Sequence, residues 1–127
     1  MKIEHFALNV PDPLAMARWY VANLGLTVKR RLVEEPYTHF LTDDSGTVML
    51  EIYRQEVPKL DFPNTHAMSC HIAFVSHEVN RDVDRIVAAG GKLEGNITSF
   101  PSGDCYAMVR DPWGVTLQFV SRSQPMV

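Results

Sequence analysis

The sequence predicts an α+β protein made of two tandem βαβββ modules, and three observations predict it: two internal echoes and a pair of helix-spaced stretches. The opening Glu4-His5-Phe6-Ala7-Leu8-Asn9-Val10 is answered by Ser69-Cys70-His71-Ile72-Ala73-Phe74-Val75, each running His, apolar, Ala, apolar. Val48-Met49-Leu50-Glu51-Ile52 is answered by Val115-Thr116-Leu117-Gln118-Phe119, with a carboxylate in one copy and its amide in the other. Both echoes are displaced along the chain by the same distance to within one residue, which marks one long repeated unit.

Residues 2–10 alternate, placing Phe6, Leu8 and Val10 on one face and Ile3, His5, Ala7 and Asn9 on the other, the pattern of a half-buried strand. Asp12 followed by Pro13 reads as an N-cap with Pro at the first helical position. The helix then runs through Trp19 and Tyr20 to about Asn23, where Gly25 stops it, and it should cover the Phe6 and Leu8 face. Strands are expected at about 26–34, 37–42 and 47–53, separated by turns around Glu35-Pro36 and Asp43-Asp44-Ser45-Gly46. Residues 54–67 contain Pro58 and Pro63, show no periodicity and read as the linker between modules. At ~3.5 Å per residue that linker reaches about 50 Å, enough for the second module to pack beside the first or against another chain.

The second module opens with a strand at 68–76. Val79, Val83, Ile86 and Val87 then recur at helical spacing between Glu78 and Ala89, and Gly90-Gly91 reads as the helix stop, not as a phosphate loop, because it follows a helix. Strands at about 92–99, 104–110 and 115–121 complete the module, with Asp111-Pro112-Trp113-Gly114 as the tight turn before the last. The chain is thus read as a single domain, with module one at 1–53, linker 54–67, module two 68–121 and a frayed tail 122–127.

Bulk properties limit the functions open to it. With 127 residues, 46% hydrophobic and 21% charged, the chain is an ordinary globular domain, and a net charge of −3 removes the general electrostatic case for nucleic-acid binding. No stretch approaches the ~20 apolar residues of a membrane span, and Met1-Lys2-Ile3-Glu4-His5 carries no signal-peptide core, so a cytoplasmic protein is expected. Cys70 and Cys105 fall in predicted strands without CxxC spacing and read as buried thiols, not as a disulfide or zinc knuckle.

Strand alternation puts four repeated polar residues on one side. Leu50 and Ile52 face the helices, leaving Met49, Glu51 and Tyr53 opposite, and Leu117 and Phe119 do the same for Gln118. His5, Glu51, His71 and Gln118 therefore all point away from the helices, toward the concave side of whatever sheet the modules form. Two imidazoles, a carboxylate and an amide on such a face are costly unless paired or bound to something. A lone strand histidine is ordinarily structural, and the pairing of His5 with His71 is what favours a ligand role. His39, His66 and His77 have no counterpart in the repeat and read as surface or loop residues, with an inner-face position as the alternative for His39. Alternation splits Lys29-Arg30-Arg31 between two faces; solvated charge opposite Glu34 and Glu35 is the plain reading, and an anionic-substrate role for Arg30 or Arg31 the minor one. Tyr53, Tyr106 and Met108 suit pocket walls or core equally.

With His5-Phe6-Ala7, the Asp12…Trp19-Tyr20…Leu24-Gly25-Leu26 helix signature, Asp111-Pro112-Trp113-Gly114 and the four site positions in hand, nearly the whole chain resembles the vicinal oxygen chelate superfamily. That group includes glyoxalase I, methylmalonyl-CoA epimerase, fosfomycin-resistance thiol transferases, extradiol dioxygenases and metal-free bleomycin-binding proteins. The resemblance implies a curved, cup-shaped mixed sheet with helices outside, a homodimer, and a small-molecule substrate without nucleic-acid or membrane partners. It also implies a divalent ion (Zn, Ni, Mn or Fe) held by His5, Glu51, His71 and Gln118. Glyoxalase I-like sequences carry a carboxylate where this chain has Gln118, and an amide is an oxygen ligand but no base, so proton abstraction falls to Glu51. Two His and one carboxylate also match the facial triad of iron dioxygenases, and a metal-free binder remains the reading from another class.

Overall fold

Each expected helix is built where its capping residues stand. The computed structural model describes residues 1–127 and divides into two compact units, Met1–Leu60 and Asp61–Val127. In the first, α1 (Pro13–Leu24) begins where the Asp12 side chain accepts the Ala15 N–H at 3.0 Å and ends at Gly25 with φ of 71°. Its inward face, Met16, Ala17 and Tyr20, is buried with Leu8, Val10, Leu41 and Ile52 from the strands. Around this core lie β1 (His5–Asn9), β2 (Thr27–Arg31), β3 (His39–Thr42) and β4 (Met49–Tyr53), in the spatial order β1-β4-β3-β2. β1 runs parallel to β4 and the other pairs are antiparallel. The turn from β3 to β4 is closed by the Asp43 carboxylate, which accepts from the N–H groups of Ser45 and Gly46.

The second unit repeats the plan. β5 (Ile72–Val75), α2 (Val79–Ala88), β6 (Lys92–Ser99), β7 (Cys105–Arg110) and β8 (Thr116–Ser121) form a sheet of order β5-β8-β7-β6, with only the β5–β8 pair parallel. Val79, Val83 and Ile86 of α2 are buried with Ala107, Val109, Leu117 and Phe119. The chain is therefore the expected α+β fold of two βαβββ modules, as two four-stranded mixed sheets with one helix each.

Gly90-Gly91 does cap α2: Gly91 donates to Ile86 O at 2.9 Å, and a Cβ there would stand 2.7 Å from the Ile86 side chain. In Asp111-Pro112-Trp113-Gly114, the buried Asp111 carboxylate accepts from the N–H groups of Trp113 and Val115 at 2.9 and 2.8 Å. Gly114 combines φ of 84° with a backbone so close to Pro63 that a Cβ would fall 2.6 Å away.

Four local expectations change. The strand expected from residue 68 starts only at Ile72, because Ser69 N–H turns back to His66 O at 2.8 Å, so Cys70 and His71 precede it. Both cysteines are free and half-buried. The second half of the expected linker is packed: Phe62–Asn64 forms a short 3-10 turn, and Phe62 and Ala67 are buried. The tail does not simply fray, since Ser123 donates to the Asp104 carboxylate through both N–H and hydroxyl at 2.9 Å, which holds that carboxyl below its ordinary range.

Candidate functional site

Register gives the two units the same inner face. Ala7 pairs with Glu51 and Ala73 with Gln118, so the carboxylate and the amide occupy equivalent places beside the first strand of each module. Following the pairing outward gives one row per unit, Ala7-Glu51-Phe40-Arg30 in the first and Ala73-Gln118-Met108-Glu94 in the second. Tyr53, Tyr106 and Met108 belong to these inner faces, whereas His39 does not: it pairs with Ile52 on the helix side, is buried, and its Nδ1 donates to Tyr37 O at 2.7 Å. His66 and His77 are exposed.

In the first unit the structure brings His5 and Glu51 together, with Nε2 3.4 Å from Oε2. Two residues unflagged by sequence reasoning fix the imidazole: Glu4, whose Oε2 is 2.7 Å from Nδ1, and Phe40, whose ring meets His5 edge-on at 5.7 Å. Glu4 escaped notice because alternation sends neighbouring side chains to opposite faces; it lies just before β1, where that rule lapses. In the second unit His71 Nδ1 lies 3.2 Å from Ala67 O, and no hydrogen bond joins it to Gln118. Gln118 is half-buried and its amide has no hydrogen-bond partner. Two residues before it on the same face, the hydroxyl of Thr116 is buried and unpaired.

The acceptors around the histidines place one hydrogen on each ring. A carboxylate or carbonyl only accepts, so Nδ1 carries a hydrogen in both His5 and His71. Such anchoring of one ring nitrogen is the arrangement that presents the other to a metal. At His5 the second nitrogen, Nε2, faces an anionic oxygen, which is unfavourable unless a proton or cation lies between. Two ligands ~2.1 Å from one ion stand roughly 3.0–3.4 Å apart between octahedral and tetrahedral angles, so the 3.4 Å separation suits a shared ion. These two donors are of a chemistry and spacing that suit a divalent ion. No three His, Cys, Asp or Glu side chains gather into a metal-holding group within either unit.

Arg110, on the inner face of β7, is the largest polar feature the sequence left unflagged. Its guanidinium is bidentate to Glu94 and donates to Phe62 O, Thr65 O and Gly114 O at 2.7, 2.7 and 3.0 Å, so each of its five N–H groups is used. Hydrogen bonding to Arg110 holds the Glu94 carboxyl below its usual range and raises the arginine. A groove of about 240 Å³ lies on the same unit, between Ala73, Val75 and Val120 of the sheet and Pro125 and Met126 of the tail.

The sequence profile of the Glyoxalase/Bleomycin resistance protein/Dioxygenase superfamily matches residues 2–119. The chain belongs to this superfamily. No curated protein is similar enough in sequence to count as a match. Among solved structures, a glyoxalase-related enzyme from Fulvimarina pelagi is 20% identical with a TM-score of 0.72, over 96% of this chain and 88% of that one. TnmS3, an antibiotic binding protein from Streptomyces sp. CB03234, is 16% identical with a TM-score of 0.73, over 97% of both chains. TioX from Micromonospora sp. ML1 is 21% identical with a TM-score of 0.68, over 96% of this chain and 99% of that one. At such identities the likeness is one of fold. This superfamily member contains no helix long and apolar enough to cross a membrane.

Proposed function

We propose that the chain is a glyoxalase-like, metal-dependent lyase or isomerase acting on a small substrate that offers two adjacent oxygens. His5 and Glu51 form one half of the ligand set, and His71 and Gln118 complete it when a first and a second module pair within a homodimer. The observation that carries this reading is His5 Nε2 standing 3.4 Å from Glu51 Oε2, with Nδ1 tied to Glu4. A divalent ion there supplies Lewis acidity for charge developing on a substrate oxygen. Glu51 is the base, because it is the only carboxylate among the four; Gln118 orients without taking a proton. Glu4 is a positioning residue, holding the His5 ring through Nδ1.

Elemental analysis of protein purified without chelator or affinity tag should find about one ion for each pair of modules. His5→Ala and His71→Ala should lose it while the fold survives, since neither residue faces a helix. The reading fails if no stoichiometric metal is found and zinc, nickel, manganese and ferrous iron all leave the melting temperature unchanged. Light scattering should give a dimer, because each module has a sheet edge and a polar inner face to cover, and a stable monomer at micromolar concentration would remove that part.

A second reading is a metal-free ligand binder, and the apolar groove bounded by Val75, Val120 and Met126 favours it. One structural neighbour, TnmS3, is an antibiotic binding protein, which agrees with it. In that case no ion lies between His5 and Glu51, and added metal changes nothing. A dioxygenase using the same ligands would consume oxygen.

A further inference from the structure

We propose that Arg30 is the anion-binding end of the first unit's inner face, so that the ligand held at His5 and Glu51 is a carboxylate-bearing molecule with a flat or apolar body lying on Phe40. This rests on the site reading above. Strand alternation from Val28, which pairs with Leu41 on the helix side, would send Arg30 to that same side. It does not go there, because the register between β2 and β3 shifts between Val28 and Arg30. Lys29 is the extra residue of a bulge, and the bulge turns Arg30 onto the face of Phe40 and Glu51. Without it, alternation would put Lys29 and Arg31 on the site's face and Arg30 on the helix side.

The resulting row runs Ala7, Glu51, Phe40, Arg30 across four strands. Two strand spacings, about 10 Å, separate the backbones of Glu51 and Arg30, and Phe40 lies between them. The length of an arginine side chain lets its guanidinium approach a ligand on Phe40 from the end opposite Glu51. Arg30 is exposed and its side chain forms no ion pair or hydrogen bond within the chain. The carboxylates expected to neutralise it do not: Glu35 is paired with Arg54, and Glu34 has no ion pair.

The second unit shows what a purely structural charge looks like at this place. Glu94, which ends the equivalent row, is locked bidentate to Arg110. Arg30 is the charge in the equivalent position left open, and a planar guanidinium on an open face is suited to two-point recognition of a carboxylate.

The test uses the full chain and two probes of one shape, 3,4-dihydroxybenzoate and the neutral 3,4-dihydroxybenzamide, titrated calorimetrically. Both present adjacent oxygens and a ring; only the first is charged at its far end. The acid should bind about tenfold more tightly, the contribution of one charge-assisted contact at a solvent-accessible site. Arg30→Gln should remove that preference while leaving the amide's affinity and the melting temperature unchanged. Arg31→Gln is the control, because Arg31 pairs with His39 on the opposite face and should keep the preference. Equal binding of acid and amide to the parent, or a preference that survives Arg30→Gln, overturns the assignment of Arg30 alone. Failure of both probes to bind the parent overturns it together with the chelating site on which it rests. His5→Ala separates the two roles, weakening acid and amide alike.

Discussion

The two units share strand order, register and helix placement, yet they use charge in opposite ways. On the inner face of the second unit the charges of Arg110 and Glu94 are consumed by each other and by three backbone carbonyls, and they hold residues 62–65 against the β7–β8 turn. On the inner face of the first unit the imidazole of His5 lies between two carboxylates, and Arg30 has no partner. One repeated frame therefore carries a saturated network in one copy and an open one in the other. A saturated buried network stabilises; an open one is available to a ligand.

The largest effect expected from breaking this contrast is at Arg110. Arg110→Met strands Glu94 and three carbonyls and should lower unfolding free energy by about 3 kcal/mol. Arg30→Met should change it by less than about 0.5 kcal/mol. Urea titrations of both variants measure the difference, and equal losses would erase the distinction between the units.

A medium effect is expected from making the units alike at their central position. Gln118→Glu adds an anion of unchanged length beside the proposed cation and should tighten divalent-metal binding about tenfold, about 1.4 kcal/mol. Melting curves of parent and variant, each with and without metal, decide the matter. A variant destabilised equally in both conditions would instead fit the metal-free reading, in which a second carboxylate meets Glu51 without a cation between them. Glu51→Gln should abolish proton abstraction in either background.

The smallest effect is in acid. The Glu94 and Asp104 carboxyls are held below their ordinary range by hydrogen bonds from Arg110 and Ser123. Groups depressed in the folded state contribute stability that is complete above their unfolded values and lost as pH falls through the folded ones, so the loss should begin below about pH 4. Solvent contact keeps it small. Because both pairs lie in the second unit, the acid loss should shrink in Arg110→Met, which has no Glu94 pair left to break, and a pH series of urea midpoints for parent and variant checks this.

The repeat, the element order, the caps at Asp12 and Gly25 and the placement of Glu51 and Gln118 opposite the helices were all legible in the chain itself. They follow from local rules, two-residue alternation in a strand and the unsatisfied groups at a helix end, that need no knowledge of a distant partner. Tertiary structure alone decided the rest. The face of Arg30 depends on a register shift that exists only when β2 meets β3, and the burial of His39 on which side of the sheet Ile52 occupies. Arg110 reads as one more strand-end cation until the chain returns Phe62, Thr65 and Gly114 to it, and the tail reads as free until Asp104 meets Ser123. In each case the deciding partner lies many residues away or across a strand pair. Periodicity reports which face a residue takes along an unbroken strand, and it is silent about bulges and about which carbonyls a side chain will find there.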